Sequence, residues 1–126
     1  MSLHKPTVFK GAATALITPF REGTIDYEAL EGLIEGQIQA GVSALLVAGT
    51  TGESATLSFA EHGELAAFAR DRIKGGVPLL AGCGSNCTSP AEELARIACR
   101  SGADALLAVT PYYNKATQKG MVAHFT

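Results

Sequence analysis

Gly41-Val42-Ser43-Ala44-Leu45-Leu46-Val47-Ala48-Gly49-Thr50-Thr51-Gly52 is the stretch that decides the fold. A short, wholly apolar run sits between a glycine and a Gly-Thr-Thr-Gly loop. A continuous apolar run of this length suits a parallel strand buried on both faces. The opening glycine ends a preceding helix. The phrase returns at an offset of 61 residues, where Gly102-Ala103-Asp104-Ala105-Leu106-Leu107 echoes Gly41 to Leu46. That offset equals two strand–helix units of roughly 30 residues each. Alternate strands of a barrel feed the same inward layers, so Gly49 to Gly52 and Thr110 to Tyr113 are predicted at matching heights on the carboxyl rim.

Working outward, apolar runs occur at Ala12 to Ile17, Ala44 to Ala48, Val77 to Ala81 and Ala105 to Val109. Pro78 is tolerable at a strand start, where its missing N–H matters least. Helices are predicted between the runs. Asp26 caps the first, whose Leu30, Leu33, Ile34 and Ile38 recur at helical spacing until Gly41. Ser58 and Glu61 form a capping box for the second, which Gly75-Gly76 stops. Ser89 and Glu92 form another box, with Pro90 at the first helical position and Gly102 at the end. Gln118 to Thr126 opens a fourth helix. Such alternation means βα units with right-handed crossovers. The predicted class is α/β, of the (β/α)8 TIM-barrel family, with four parallel strands and three to four helices. A complete barrel has eight units, so residues 1–126 read as the N-terminal half of a single barrel domain, or as an open sheet in its own right.

Composition bounds the function. The chain of 126 residues is 47% hydrophobic and 17% charged, the profile of a globular protein. A net charge of −2 without a basic cluster argues against a nucleic-acid partner. No apolar run approaches the roughly 20 residues that span a bilayer, so no membrane partner is predicted. The start at Met1 to Lys5 lacks the apolar core of a signal peptide, and the predicted location is cytoplasmic. Cys83, Cys87 and Cys99 are read as small buried thiols. A metal site on Cys83 and Cys87 would need two further ligands, with His124 the only loose candidate, and none is predicted.

Two loops can carry chemistry. In Gly49-Thr50-Thr51-Gly52-Glu53-Ser54, backbone N–H groups can converge on an anion while hydroxyls relay a proton. The bland alternative is a tight loop capping the next helix. In Thr110-Pro111-Tyr112-Tyr113-Asn114, a phenol linked to a hydroxyl can pass protons, or the tyrosines can simply close a core or a subunit contact. Gly82-Cys83-Gly84-Ser85-Asn86-Cys87 follows a strand, but Cys87 stands where a dinucleotide fingerprint has its third glycine. The acidic residue downstream, Asp104, begins a strand instead of ending one. No cofactor is predicted. His62 reads as a satisfied polar residue, Glu53 as a structural partner or an acid, and Glu92, Glu93 and Arg96 as a solvated helix face.

At Gly49-Thr50-Thr51-Gly52-Glu53-Ser54-Ala55-Thr56-Leu57, Thr110-Pro111-Tyr112-Tyr113-Asn114 and Ala15-Leu16-Ile17-Thr18-Pro19-Phe20, the chain resembles the dihydrodipicolinate synthase family, within the neuraminate lyase superfamily of class I aldolases. The resemblance covers nearly the whole chain. It implies a homotetrameric lyase of lysine and diaminopimelate biosynthesis. That enzyme condenses pyruvate with L-aspartate 4-semialdehyde through a Schiff base, giving 4-hydroxy-tetrahydrodipicolinate. Another 2-keto-acid aldolase of the superfamily, or a non-catalytic anion-binding α/β module, remains the alternative.

The resemblance further implies that Thr50 and Thr51 hold the pyruvate carboxylate. It places Thr50 in a proton relay with Tyr113, which reaches into a neighbouring subunit's site. A lysine-inhibition site would draw on Ser54, Ala55, Leu57, His62, Asn86 and Tyr112. Phe59 and Pro90 replace a His and a Glu of some members, which predicts weak or absent feedback inhibition. The Schiff-base lysine lies on a later strand, and Lys5, Lys10, Lys74, Lys115 and Lys119 match no such position. Without an iminium there is no electron sink, so the chain alone is predicted inactive.

Overall fold

The computed structural model describes residues 5–126; the signal-peptide reading of the first residues falls largely outside them. Strand β1 (Ala13–Ala15) is followed by a hairpin of β2 (Phe20–Arg21) and β3 (Thr24–Ile25), then helix α1 (Tyr27–Gln39). Strand β4 (Ala44–Val47), helix α2 (Phe59–Ile73), β5 (Leu79–Gly82), α3 (Thr88–Arg100), β6 (Ala105–Leu107) and α4 (Gln118–Phe125) complete the order. Strands β1, β4, β5 and β6 form one parallel sheet in that spatial sequence. An open doubly wound sheet reverses its strand order at a switch point, and this one does not. The helices pack in the same succession, α1 on α2 and α2 on α3. The sheet is therefore wound in one direction only, as in the first part of a (β/α)8 barrel. No helix among the described residues is long and apolar enough to cross a membrane.

The register explains the internal echo. Leu46 pairs with Leu80, and Leu80 with Ala105. Ala105 is thus level with Leu46 on the ladder, two residues beyond its echo Ala44. Two residues across two strands is one residue per strand, the stagger of a barrel with shear 8. With strands tilted by about 36°, that slip returns echoed residues to one height along the barrel axis. A slip of two also keeps each side chain on its own face.

Local signals set most boundaries. The Asp26 carboxylate accepts from Ala29 N–H at 3.0 Å, and Gly41 continues past α1 with φ +84°. Ser58 and Glu61 make both bonds of their box. Gly102 follows α3 at φ +89°. Four expectations change. The hairpin was not foreseen; it turns on Glu22 and Gly23, both with positive φ, the conformation a two-residue hairpin turn requires. The box at Ser89 does not form. Helix α3 starts at Thr88 with Cys87 as an N-cap lacking a side-chain bond, and Glu92 pairs with Arg96 instead. Pro90 falls third in the helix, where its absent N–H still has no intrahelical acceptor to miss. Lys74, rather than a glycine, is the left-handed cap of α2. Finally, only β4 is buried throughout: β1 and β6 are the sheet edges, and interior β5 is buried except at half-buried Leu80.

The core lies between sheet and helices, with Leu30, Ile34, Leu45, Val47, Leu65 and Leu79 fully buried. At the amino-terminal edge of the sheet, Asp104 ties three elements together. Its carboxylate accepts from Leu79 N–H at 2.8 Å and pairs with Arg70, whose Nε–H donates to Gly102 C=O at 2.8 Å. Partial burial alone would raise the carboxyl pKa. The Leu79 bond and the Arg70 guanidinium outweigh that and hold it below its ordinary value. A lowered folded pKa stabilises above the unfolded pKa, and the contribution is lost as pH falls through the folded one. Asp104→Ala is expected to lower stability by about 1–2 kcal/mol near neutral pH, with the difference shrinking on acidification; urea denaturation at several pH values checks it.

Candidate functional site

The carboxyl ends of the parallel strands meet at an open cavity of about 230 Å³. Ala48, Gly49, Thr50 and Ser54 line it from β4 and its loop, Gly82 and Gly84 from β5, and Leu107, Ala108 and Val109 from β6. Close strand approach makes the walls. A Cβ on Gly82 would lie 1.9 Å from the Ala48 carbonyl oxygen, and one on Gly84 2.3 Å from Val109 N. Bare backbone is the only thing that fits at either position. In sequence these glycines resemble only a mismatched nucleotide motif. Their work is to bring three strand ends together.

The loop at 49–54 is bracketed by two non-glycine residues in the left-handed region, Ala48 at φ +52° and Glu53 at φ +56°. Such strain costs on the order of 1 kcal/mol per residue and gathers at functional sites. Between them three of the four carbonyls are engaged by described residues, all but that of Thr51. Gly49 C=O accepts from Ser54 N–H at 3.3 Å and Thr50 C=O from Glu53 N–H at 3.1 Å. Gly52 C=O accepts from the Thr18 hydroxyl at 2.7 Å. Beyond the bracket, Ser54 C=O takes Leu57 N–H and His62 Nε2–H, at 3.3 and 3.1 Å. No protein acceptor among the described residues takes the N–H groups of Thr50, Thr51 or Gly52. The loop therefore leaves three successive donors free against one free acceptor, the Thr51 carbonyl, a polarity that suits an anion.

His62 is buried, and that burial pushes its pKa down, against the opposing pull of the Ser54 carbonyl and Glu61. It is neutral at physiological pH, with its proton on Nε2, as the Ser54 bond requires. The reading of His62 as a satisfied polar residue matches this placement. Glu53 makes no side-chain cap bond; its backbone turn is what the loop uses.

The second loop runs alongside. The Asn114 side-chain amide donates to Asn86 C=O at 2.6 Å, joining the loop after β6 to the loop after β5. Tyr113 has φ +64° and is fully exposed, so its hydroxyl does not reach Thr50 within the chain. Tyr112 stands edge-on to it at 6.1 Å. Of the residues singled out in the sequence, Thr50 and Ser54 line the cavity, and His62 and Leu57 gather on Ser54. Thr51, next to Thr50 on the same loop, is exposed, as are Ala55 beyond it and Asn86, Tyr112 and Tyr113 on the loops after β5 and β6. Among the thiols only Cys83 is buried, with its pKa raised by burial; Cys87 and Cys99 are exposed on α3 and its cap, correcting the reading of all three as core. His124 Nδ1 is bonded to the Thr88 hydroxyl at 2.9 Å, and no three metal-ligating side chains cluster among the described residues. Thr18, buried beneath the loop at 49–54, belongs to no motif that sequence reasoning could single out for chemistry. Its one signal was a threonine just past the first apolar run.

Comparison with known proteins gives this geometry a family. The model of the dihydrodipicolinate synthetase family matches residues 8–126. The 4-hydroxy-tetrahydrodipicolinate synthase of Nitratidesulfovibrio vulgaris is 52% identical over 117 residues, covering 93% of this chain and 40% of the relative. The crystal structure of dihydrodipicolinate synthase from Aquifex aeolicus is 51% identical with a TM-score of 0.89, covering 93% of this chain and 40% of that one. That of Acinetobacter baumannii, solved in complex with pyruvate, is 41% identical with a TM-score of 0.90, over 94% and 41%. The chain thus spans about 40% of the length of the relatives it matches. On its sequence, its one-way strand order and these likenesses together, the chain belongs to the dihydrodipicolinate synthetase family.

Proposed function

We propose that this chain supplies the carboxylate-binding and proton-relay part of a 4-hydroxy-tetrahydrodipicolinate synthase, acting on pyruvate and L-aspartate 4-semialdehyde. One observation carries the reading: the free N–H of Thr50 lies on the wall of a cavity sized for a small acid, and the next two N–H groups along the loop, at Thr51 and Gly52, are free as well. A carboxylate seated there would take charge-assisted bonds from the backbone and from the threonine hydroxyls. That a relative was solved with pyruvate supports the choice of acid. Thr50, on the cavity wall, is the relay hydroxyl in this reading. Tyr113 meets it from another copy of the chain, and the tyrosine's full exposure fits a role across a subunit boundary. A homo-oligomer, a tetramer by family likeness, and a cytoplasmic setting belong to the same proposal.

The reaction needs an amine to attack the pyruvate ketone and lose water, leaving an iminium that draws electrons from the adjacent methyl. None of the residues lining the cavity is a lysine. Ser54, Leu57 and His62, with Asn86 and Tyr112 on the adjoining loops, are proposed with Ala55 as the lysine-inhibition site. Pro90 offers no carboxylate to an ammonium there, so inhibition is expected to be weak. Borohydride reduction in the presence of pyruvate tests the main reading by intact mass. The expected result is no adduct on the 126-residue chain and one reduced pyruvyl group on a synthase that completes it with later strands. An adduct on the chain itself would overturn the division of labour.

A further inference from the structure

We propose that Thr18 is a positioning residue for the anion-binding loop: its hydroxyl, by holding the Gly52 carbonyl, turns the Thr51 and Gly52 N–H groups toward the bound carboxylate. The inference rests on the reading of that loop as the pyruvate site and adds to it a residue from the segment that follows β1.

Thr18 lies three residues past β1 and is only 4% exposed. Its hydroxyl donates to Gly52 C=O across 34 positions of sequence at 2.7 Å, a short bond in a buried setting. Peptide planarity makes the consequence rigid. The Gly52 carbonyl and the Glu53 N–H share one plane, and the Thr51 carbonyl and Gly52 N–H share the plane before it. Fixing one carbonyl toward β1 limits how the preceding peptide can rotate. The Gly49 and Thr50 carbonyls are held by the loop's own backbone N–H groups. Gly52 C=O is held by a side chain from the segment after β1, a whole strand–helix unit away.

The contact surface agrees. A Cβ on Gly52 would come within 3.1 Å of Leu16 C=O, 3.2 Å of Ala48 N and 3.2 Å of the Thr18 hydroxyl. The loop is thus seated directly on the end of β1, where one hydroxyl sets its orientation. Without that donor, Gly52 C=O would be left unsatisfied in a buried place or would swing outward to water. Swinging outward would put a carbonyl dipole where the carboxylate binds.

The test uses the chain as it is, with backbone amides followed by NMR as sodium pyruvate is added. In the wild type, the Thr51 and Gly52 amides are expected to shift in a saturable way. Thr18→Val keeps the shape and removes the hydroxyl, and is expected to weaken pyruvate binding about tenfold. Thr18→Ser restores the hydroxyl and is expected to bind within about twofold of wild type, on the same reasoning. Amide exchange separates positioning from general stability. Thr51 and Gly52 should exchange faster in the valine protein, while core amides such as Leu30 and Leu65 stay unchanged. If the valine protein does not fold, Thr18→Ala is compared with Thr18→Ser in the same way. Equal affinity in the hydroxyl and non-hydroxyl variants would overturn the role of Thr18. An absent response in the wild type would instead overturn the pyruvate site.

Discussion

Gly82→Ala is expected to lower stability by about 3 kcal/mol or more, read as a shift of the denaturation midpoint, and in the severe case to prevent folding. The added Cβ would sit 1.9 Å from the Ala48 carbonyl oxygen, 2.6 Å from its carbon and 3.0 Å from Gly49 Cα. All three are main-chain atoms, so no rotamer relieves the clash. Relief requires the end of β5 to part from the end of β4, two strands locked by pairs from Leu45–Leu79 to Val47–Ala81. The loop at 49–54 hangs from that end of β4, so any surviving protein should also lose the pyruvate-induced shift of the Thr51 amide. Gly32→Ala is the control. It lies within α1 with nothing within 4 Å of its Cβ position, and alanine there is expected to be neutral or stabilising by up to about 1 kcal/mol. An unchanged midpoint for Gly82→Ala would mean the strand ends do not meet as described.

The largest effect on chemistry is expected from Tyr113→Phe. In a catalytically competent synthase carrying this segment, turnover should fall by about 10²–10⁴, the range for losing a positioned proton-transfer group. The variant isolates the hydroxyl. Tyr113 is fully exposed within the chain, so its fold has no packing to lose, and phenylalanine keeps the edge-on contact with Tyr112. Its positive φ is also kept, because the two residues share backbone preferences. The expected signature is a fall in kcat with little change in the KM for pyruvate, since the donors proposed for its carboxylate are on another loop. Pyruvate trapping by borohydride should likewise persist if the amine is supplied elsewhere. A rate equal to wild type would remove Tyr113 from the relay and leave the exposed tyrosine pair as an interface feature.

The sequence by itself determined the alternation of strands and helices, the parallel sheet and the rim on which the threonine loop and the tyrosine loop both emerge. These were legible because their causes are local. A strand such as Ala44–Val47 must be apolar throughout if it is to be buried throughout. Asp26, Ser58 with Glu61, Gly41 and Gly102 act on backbone groups within four residues of themselves. Even local signals mislead at Ser89, where helix α3 begins two residues before the expected Pro90 and Thr88 is bonded to His124 on α4, and at the end of α2, where Lys74 is the left-handed cap.

Only the tertiary structure decided which atoms meet at the site. The left-handed turns at Ala48 and Glu53 carry no glycine to announce them, because the surrounding sheet and loop impose them. Thr18 to Gly52, Asp104 to Leu79, and Gly82 against Ala48 join residues about 25–35 positions apart. The separation is one strand–helix unit, the distance along the chain between neighbours in a parallel sheet. A sequence pattern says that such neighbours exist, whereas the register alone says which atom faces which. An anion site made of backbone N–H groups depends wholly on that second kind of information, since every residue has the same backbone and only the fold turns it to face a ligand.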